Sequence, residues 1–363
     1  MDADAIDYKH QESHKEPHIP VLSSSDNTLQ NRLLQGVSRT FALTIPVLPA
    51  GLREPVSNGY LLCRIIDTIE DDTALNLQQK RDFSNQFTRV VLGEEPAENF
   101  ARELAKILSD VTTPAEHELI QLTPAVIAIT HSFNTQQREA LSTCVRVMAE
   151  GMLHFQEKDT SAGLDDMAEM EHYCYVVAGV VGEMLSKLFC DYSPEIARHK
   201  QKMMALSIRF GQGLQMTNIL KDIWDDNKRG ACWLPQSIFK EHGFDLQNLT
   251  AGQQSVEFEH GLAQLIAIAH KQLNDALEYT LLIPRNETGI RNFCLWALGM
   301  AVLTIRKLNK HKDFNEGRQV KITRRSVKMT VLTSRIAVRH DQLLQGLMYL
   351  AGLGLPKTST QNN

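Results

Sequence analysis

The six cysteines, Cys63, Cys144, Cys174, Cys190, Cys232 and Cys294, never fall into a C-x-x-C pair. That excludes the common zinc modules, and 363 residues exclude a small disulfide-stapled scaffold. Scattered thiols of this kind suit a reducing compartment. No apolar run follows a basic start: Met1 to Pro20 is polar and mixed in charge, which is not the pattern of a secretory signal. The longest apolar stretches, Leu295–Ile305 and Leu343–Pro356, fall short of the ~20 residues a membrane-spanning helix needs. No G-x-G-x-x-G follows a strand pattern, so a Rossmann dinucleotide site has no support. Ser/Gly linkers, solenoid-length repeats and long period-2 alternation are missing too. These absences lead to the expectation of a soluble, cytoplasmic protein without a transmembrane helix or a sheet-based core.

Hydrophobic residues make up 43% of the chain and charged ones 22%, enough for a large core and too apolar for disorder. Residues 1–28 read as a flexible tail, 29–350 as one domain, and 351–363 as a second tail. Within the domain the apolar spacing is helical almost throughout. Leu33, Leu34 and Val37 share a face, as do Ala101, Leu104, Ala105 and Leu108. The stripe Leu262, Leu265, Ile266, Ala269, Leu273, Ala276, Leu277 predicts a long amphipathic helix. Pro46, Pro49, Pro96, Pro114, Pro194, Pro235 and Pro284 fall where helix ends are wanted. The fold class expected is all-α.

The net charge of −5 is unevenly spread. Between Arg306 and Arg339 stand eleven Lys/Arg and only Asp313 and Glu316, so this stretch should meet an anion. Upstream, two helical segments concentrate carboxylates. In Tyr60–Asp72, Asp67, Glu70 and Asp71 stand at i, i+3, i+4 on one face, while Leu61, Leu62, Ile65, Ile66 and Ile69 form an apolar one. In Gln215–Asp226, Asp222 and Asp226 repeat the i, i+4 spacing, with Asp225 between them and Asn218 one turn earlier. Like charges one turn apart destabilise a helix. A divalent cation would relieve them, and hard oxygen donors select Mg²⁺, whose shell is commonly completed by substrate phosphates. Either motif alone reads more readily as a solvated face, whereas two in apolar helices favour the metal. Ser38, Arg39, Arg53, Arg64, Lys221, Arg229 and Lys321 are candidate partners for phosphate oxygens.

Four segments in this order, Ser38–Leu43, Tyr60–Asp72, Tyr173-Cys-Tyr-Val-Val-Ala-Gly179 and Gln215–Asp226, resemble the squalene/phytoene synthase family over about residues 35–340. The resemblance implies an isoprenoid synthase fold, a single helical domain with a central cavity, and head-to-head condensation of two prenyl diphosphates assisted by Mg²⁺. Val320-Lys321-Ile322-Thr323-Arg324 and Asn292-Phe293-Cys294 resemble the squalene-forming branch, which joins two farnesyl diphosphates and reduces the product with NADPH. By that resemblance Asp67, Glu70, Asp71, Asp222 and Asp226 hold metal, and Tyr173 is the acid/base. Ser38, Arg39, Phe41, Arg53, Tyr60, Arg64, Gln215, Asn218, Lys221, Arg229 and Phe293 bind substrate; Asn218, Lys321 and Arg324 meet NADPH.

Several departures stand beside the match. Lys221 replaces the usual Arg, Ala297-Leu298 replaces a Pro-Gln pair, and Arg229–Pro235 is closer to the phytoene branch, which does not use NADPH. The C-terminal membrane anchor of the eukaryotic members is not seen either; together these departures suggest a bacterial-type member of the family, and a monomer is expected. A water-insoluble product would favour peripheral membrane contact through Leu343–Leu355, although that segment reads more simply as the last core helix. The competing class is an anion- or nucleic-acid-binding helical protein. The basic stretch permits it, but apolar residues such as Val331 and Leu332 interrupt it and no groove-binding motif is present, so no nucleic-acid partner is expected.

Overall fold

A computed structural model describes residues 24–252 and 255–358. It is helical from end to end, and the one β-type pairing among the described residues is an isolated bridge between Leu164 and Pro235. The helices run α1 (Ser24–Val37), α2 (Arg39–Thr44), α3 (Ala50–Asp71), α4 (Leu77–Leu92), α5 (Ala97–Ile107), α6 (Pro114–Gln121), α7 (Thr123–Ser132), α8 (Thr135–Gln156) and α9 (Met167–Cys174). A π-turn, Tyr175–Gly179, joins α9 to α10 (Val180–Tyr192). There follow α11 (Pro194–Ala197), α12 (Lys200–Lys228), α13 (Gln236–Glu241), α14 (Val256–Leu282), α15 (Thr288–Lys310), α16 (Gly317–Val320), α17 (Arg324–Ala337) and α18 (Asp341–Gly352).

Local chemistry sets most boundaries. Pro114 and Pro194 each occupy a first helical turn, where a missing N–H costs nothing. Asn76 with Gln79 and Thr113 with Glu116 form reciprocal capping boxes. The first helix starts at Ser24, inside the stretch 1–28 expected to be a tail, because its first turn is polar and carries no apolar stripe to be read. The remainder of that expected tail, 1–23, lies outside the described residues.

The predicted apolar faces are the ones buried. Leu61, Leu62, Ile65, Ile66 and Ile69 of α3 are all sealed, as are the seven stripe residues of α14. Two helical stretches, Met167–Tyr192 and Thr288–Lys310, reach 26 and 23 residues and are apolar enough to cross a membrane by length and composition. Both line the interior: 50% and 61% of their most apolar windows are buried inside the fold. The longest helix, α12, runs between α14 and the α9–α10 rod. Its approach is too close for side chains. A Cβ on Gly182 would sit 2.3 Å from the Ser207 carbonyl oxygen, and one on Gly211 2.4 Å from that of Ala178.

At the far end, the fully buried Arg291 ties the C-terminal helices to the core. Its guanidinium donates to the carbonyls of Ile283 (2.8 Å), Val338 (2.7 Å) and Leu281 (3.3 Å), and pairs with Asp341 at 2.9 Å. A buried cation is tolerable only with such full pairing.

Candidate active site

A cavity of about 290 Å³ lies at the centre of the fold. Its wall draws on α2 (Phe41), α3 (Tyr60, Cys63), α8 (Met148), α10 (Leu185, Phe189), α12 (Phe210, Leu214), α14 (Tyr279) and α15 (Phe293, Ala297). Phe41 and Tyr60 sit 4.6 Å apart between ring centroids, and Phe189 meets Phe293 edge to face. Tyr279 turns its hydroxyl onto Ser186 Oγ at 2.9 Å, so its polar tip is satisfied. Polar groups also reach the wall at Asp67 on α3 and at Gln215 and Asn218 on α12. Apolar walls with a polar mouth suit a ligand with a hydrocarbon tail and a charged head.

The two acidic motifs converge. Arg229, at the end of α12, donates to Asp226 and also feels the charges of Asp71 on α3 and Asp222 on α12. Burial pushes the Asp67 carboxyl up to about 7, with Asp71 adding to the rise against the pull of Arg64. Burial, then Asp71 and Asp67, push Glu70 up to about 8. Asp226 is raised by burial as well, in spite of its bond to Arg229. Asp72 is set apart from them. It accepts from Ser109 N, Ser109 Oγ, Thr112 Oγ1 and Ala74 N, and is held below the usual carboxylate range by those bonds. It is a structural carboxylate that staples the α3–α4 turn to the α5–α6 loop.

These carboxylates fit Mg²⁺. They are hard oxygen donors, two of them poised near neutrality by burial with their mutual repulsion adding to it, and among the described residues no three His, Cys, Asp or Glu side chains close into a cage. An open set of this kind leaves positions for water and phosphate oxygens, the coordination Mg²⁺ favours.

The cations sort into two groups. Arg64 stands at the acidic end, bonded to Glu116 and 3.6 Å from Asp67, with its Nε buried and unpartnered. Lys221 folds back onto Asn218 Oδ1 (3.2 Å) and Asp222 (3.1 Å). Arg53 is not part of the site. Its Nε donates to the Leu48 carbonyl at 2.6 Å, and it lines a separate surface cavity with Thr28 and Asn31. That local carbonyl captures it, a preference the spacing could not reveal. Ser38 caps α2 by accepting from Phe41 N at 3.1 Å. The Arg39 side chain lies outside the described residues.

The expected NADPH residues do not form one cradle. Asn218 lines the cavity, whereas Lys321 and Arg324 are exposed outside it. Short α16 does pack on α12: a Cβ at Gly317 would lie 3.2 Å from Asp222 Oδ1.

Tyr173 is sealed, with its ring stacked on Trp233 at 4.0 Å and 4° and Phe155 edge-on at 5.1 Å. Burial, followed by the charges of Glu70, Cys174, Asp226 and Asp71, holds its phenol well above the ordinary value. These influences all favour the protonated phenol, so in the metal-free protein Tyr173 is a proton donor rather than a phenolate base. Trp233 and Glu116 are site residues that sequence reasoning missed. The Thr113–Glu116 capping pattern was visible, but not its second bond, to Arg64.

An all-helical chain enclosing an apolar cavity, with two carboxylate-bearing helices converging at one end, has the isoprenoid synthase fold. Residues 34–326 match the family model for squalene/phytoene synthase, and the chain belongs to that family. Squalene synthase ERG9 of Gibberella zeae is 29% identical over 316 residues, covering 85% of this chain and 65% of the relative. The squalene synthase of Schizosaccharomyces pombe is 28% identical over 308 residues, covering 81% and 63%. The chain thus spans under two thirds of the length of these two relatives. Among solved structures, TcSQS in complex with the ligand BPH1237 superposes with a TM-score of 0.74 at 22% identity, covering 94% of each chain.

Proposed function

We propose that this protein is a squalene synthase. On this reading it condenses two farnesyl diphosphates head to head into presqualene diphosphate and converts that, with NADPH, to squalene. The observation that carries the condensation is the apolar central cavity bordered by Asp67 and Asn218, beside the convergence of Asp71 and Asp226 around Arg229. The squalene-forming branch is supported by the two fungal relatives and by Phe293 and Cys294 in the cavity wall.

Asp67, Glu70, Asp71, Asp222 and Asp226 would hold Mg²⁺, which when bound neutralises the diphosphate and assists its departure. Arg64, Lys221 and Arg229 add positive charge at the same end and orient the leaving group. The allylic cation left behind would be captured by water, so the sealed walls are part of the chemistry. The faces of Phe41, Tyr60, Phe210 and Phe293 offer it cation–π stabilisation. Tyr173 holds its proton beside the carboxylate cluster, and on this reading it would donate that proton to the departing diphosphate. No reductive step is assigned to particular residues, because Lys321 and Arg324 stand apart from the cavity.

The test is product analysis with purified protein. Farnesyl diphosphate and Mg²⁺ should yield presqualene diphosphate, and NADPH should divert it to squalene. Full turnover by Asp71→Ala or Asp222→Ala refutes the metal assignment. Dehydrosqualene formed regardless of NADPH, or phytoene from the C20 diphosphate, replaces the squalene reading with that of the other branch.

A further inference from the structure

The last two helices leave an apolar face uncovered. On α17, Met329, Leu332 and Ile336 are 53%, 53% and 67% exposed; on α18, Leu343 and Leu350 are 45% and 56% exposed. These are not scattered positions. At 100° per residue, Leu332, Ile336 and Met329 occupy one 60° sector of α17, and Leu343, Leu347 and Leu350 one sector of α18. Between the helices runs a second cavity of about 470 Å³, floored by Leu295, Leu298 and Val302 of α15 and walled by Met329 and Leu347. Met329 lines this apolar groove, and Leu332 and Ile336 extend its sector along α17, as Leu343 and Leu350 extend that of the groove-lining Leu347 along α18. The groove lies on the opposite side of α15 from the central cavity, whose wall that helix builds with Phe293, Cys294 and Ala297.

The charge beside this face has a single sign. From Arg318 to His340 there are seven Lys/Arg and no Asp or Glu. On α17, Lys328 and Arg335 fall in the sector next to Leu332 and Ile336, Arg339 follows two residues past its end, all three are exposed, and Arg325 lies within the apolar sector at the groove. Asp341, the nearest carboxylate in sequence, is already engaged by Arg285 and Arg291. A helix with an apolar sector bordered by a purely basic one is the pattern of an element lying in the plane of an anionic lipid surface. A protein partner of ordinary composition would not call for cations alone along the border.

We propose that the α17–α18 face docks the protein peripherally on an anionic lipid bilayer, the groove receiving acyl chain while Lys328, Arg335 and Arg339 meet the head groups. The docked face is then one helix away from the central cavity. Binding does not depend on which prenyl product the enzyme makes, so it can fail or hold independently of the squalene reading.

The test is co-sedimentation of the full chain with vesicles of phosphatidylcholine alone or mixed with phosphatidylglycerol. The wild-type chain should sediment with the mixed vesicles, weakly with the neutral ones, and be released by high salt. Ile336→Asp with Leu350→Asp should abolish sedimentation. Lys328→Glu with Arg339→Glu should weaken it by about fivefold or more for each cation. All four side chains are exposed, so circular dichroism and thermal melting should match the wild type. Three results overturn the proposal: no sedimentation of the wild-type chain with either vesicle, equal sedimentation of wild type and both double variants, or a lipid-free dimer in analytical ultracentrifugation that Ile336→Asp with Leu350→Asp dissociates. The last would show that a second copy covers the face.

Discussion

Magnesium affinity should depend steeply on pH, by an amount that tells which carboxylates bind the metal. In the metal-free protein Asp67 titrates at about 7 and Glu70 at about 8. A carboxyl must lose its proton to become a ligand, so each protonated group weakens apparent affinity. From pH 8 to pH 6 the ionised fraction of a group titrating at 7 falls from about 0.9 to about 0.1, roughly tenfold. For a group titrating at 8 the fall is from about one half to about 0.01, roughly fiftyfold. The half-saturating Mg²⁺ concentration should therefore rise about tenfold if Asp67 alone of the two is a ligand, and several hundredfold, on the order of their product, if Glu70 is one too.

Stability carries the same signature with a definite sign. Both folded-state values lie above the unfolded ones, so the stability these carboxyls contribute is fully present below about pH 4 and is lost as pH rises through 7 to 8. Added Mg²⁺ should restore it, giving a thermal shift that grows from pH 6 to pH 8. Calorimetric titration with Mg²⁺ alone at pH 6, 7 and 8, repeated on Glu70→Gln, measures both quantities. Half-saturation that stays within about twofold across this range would refute the account of the acidic end.

Tyr173→Phe keeps the stack on Trp233 and removes only the hydroxyl. Melting temperature should be nearly unchanged while kcat falls about a hundredfold or more, as expected for a lost proton donor. Gly211→Ala puts a Cβ 2.4 Å from the Ala178 carbonyl oxygen, about 1 Å inside ordinary contact, and both neighbours are backbone. Chemical denaturation should show a loss of about 1–3 kcal/mol. Gly346→Ala, with nothing within 4 Å, should instead gain a few tenths up to about 1 kcal/mol. Arg291→Met strands three carbonyls and one side of Asp341, and should cost about 3 kcal/mol by the same measurement.

The acidic motifs were legible because helical spacing alone places Asp67 with Asp71 and Asp222 with Asp226, and because apolar neighbours such as Ile65, Ile66 and Ile223 fix which side faces inward. Family resemblance added Phe41, Tyr60, Gln215, Asn218 and Phe293, all of which line the cavity. What stayed hidden was set by partners distant in sequence. Trp233 meets Tyr173 only after the chain has run through α10 and α12. Glu116 reaches Arg64 from 52 residues away, and Arg53 is captured by a carbonyl five residues back. The C-terminal segment reads more simply as a core helix than as a membrane contact. Structure gives α18 both faces, with Leu344 and Met348 packed inward and Leu343 and Leu350 left outside.

The π-turn at Tyr175–Gly179 amounts to one surplus residue in an otherwise regular rod. One residue turns everything beyond it by about 100° relative to an unbroken helix. Tyr173 and the bare backbone at Gly182 are thus held in a mutual orientation that their nine-residue separation would not produce by itself. Deleting a single residue from the turn would leave a better helix and a worse enzyme: either Tyr173 would swing off Trp233, or Gly182 would leave its seat against Ser207. The irregularity works as a phase setting, and a tidier rod could not serve both contacts at once.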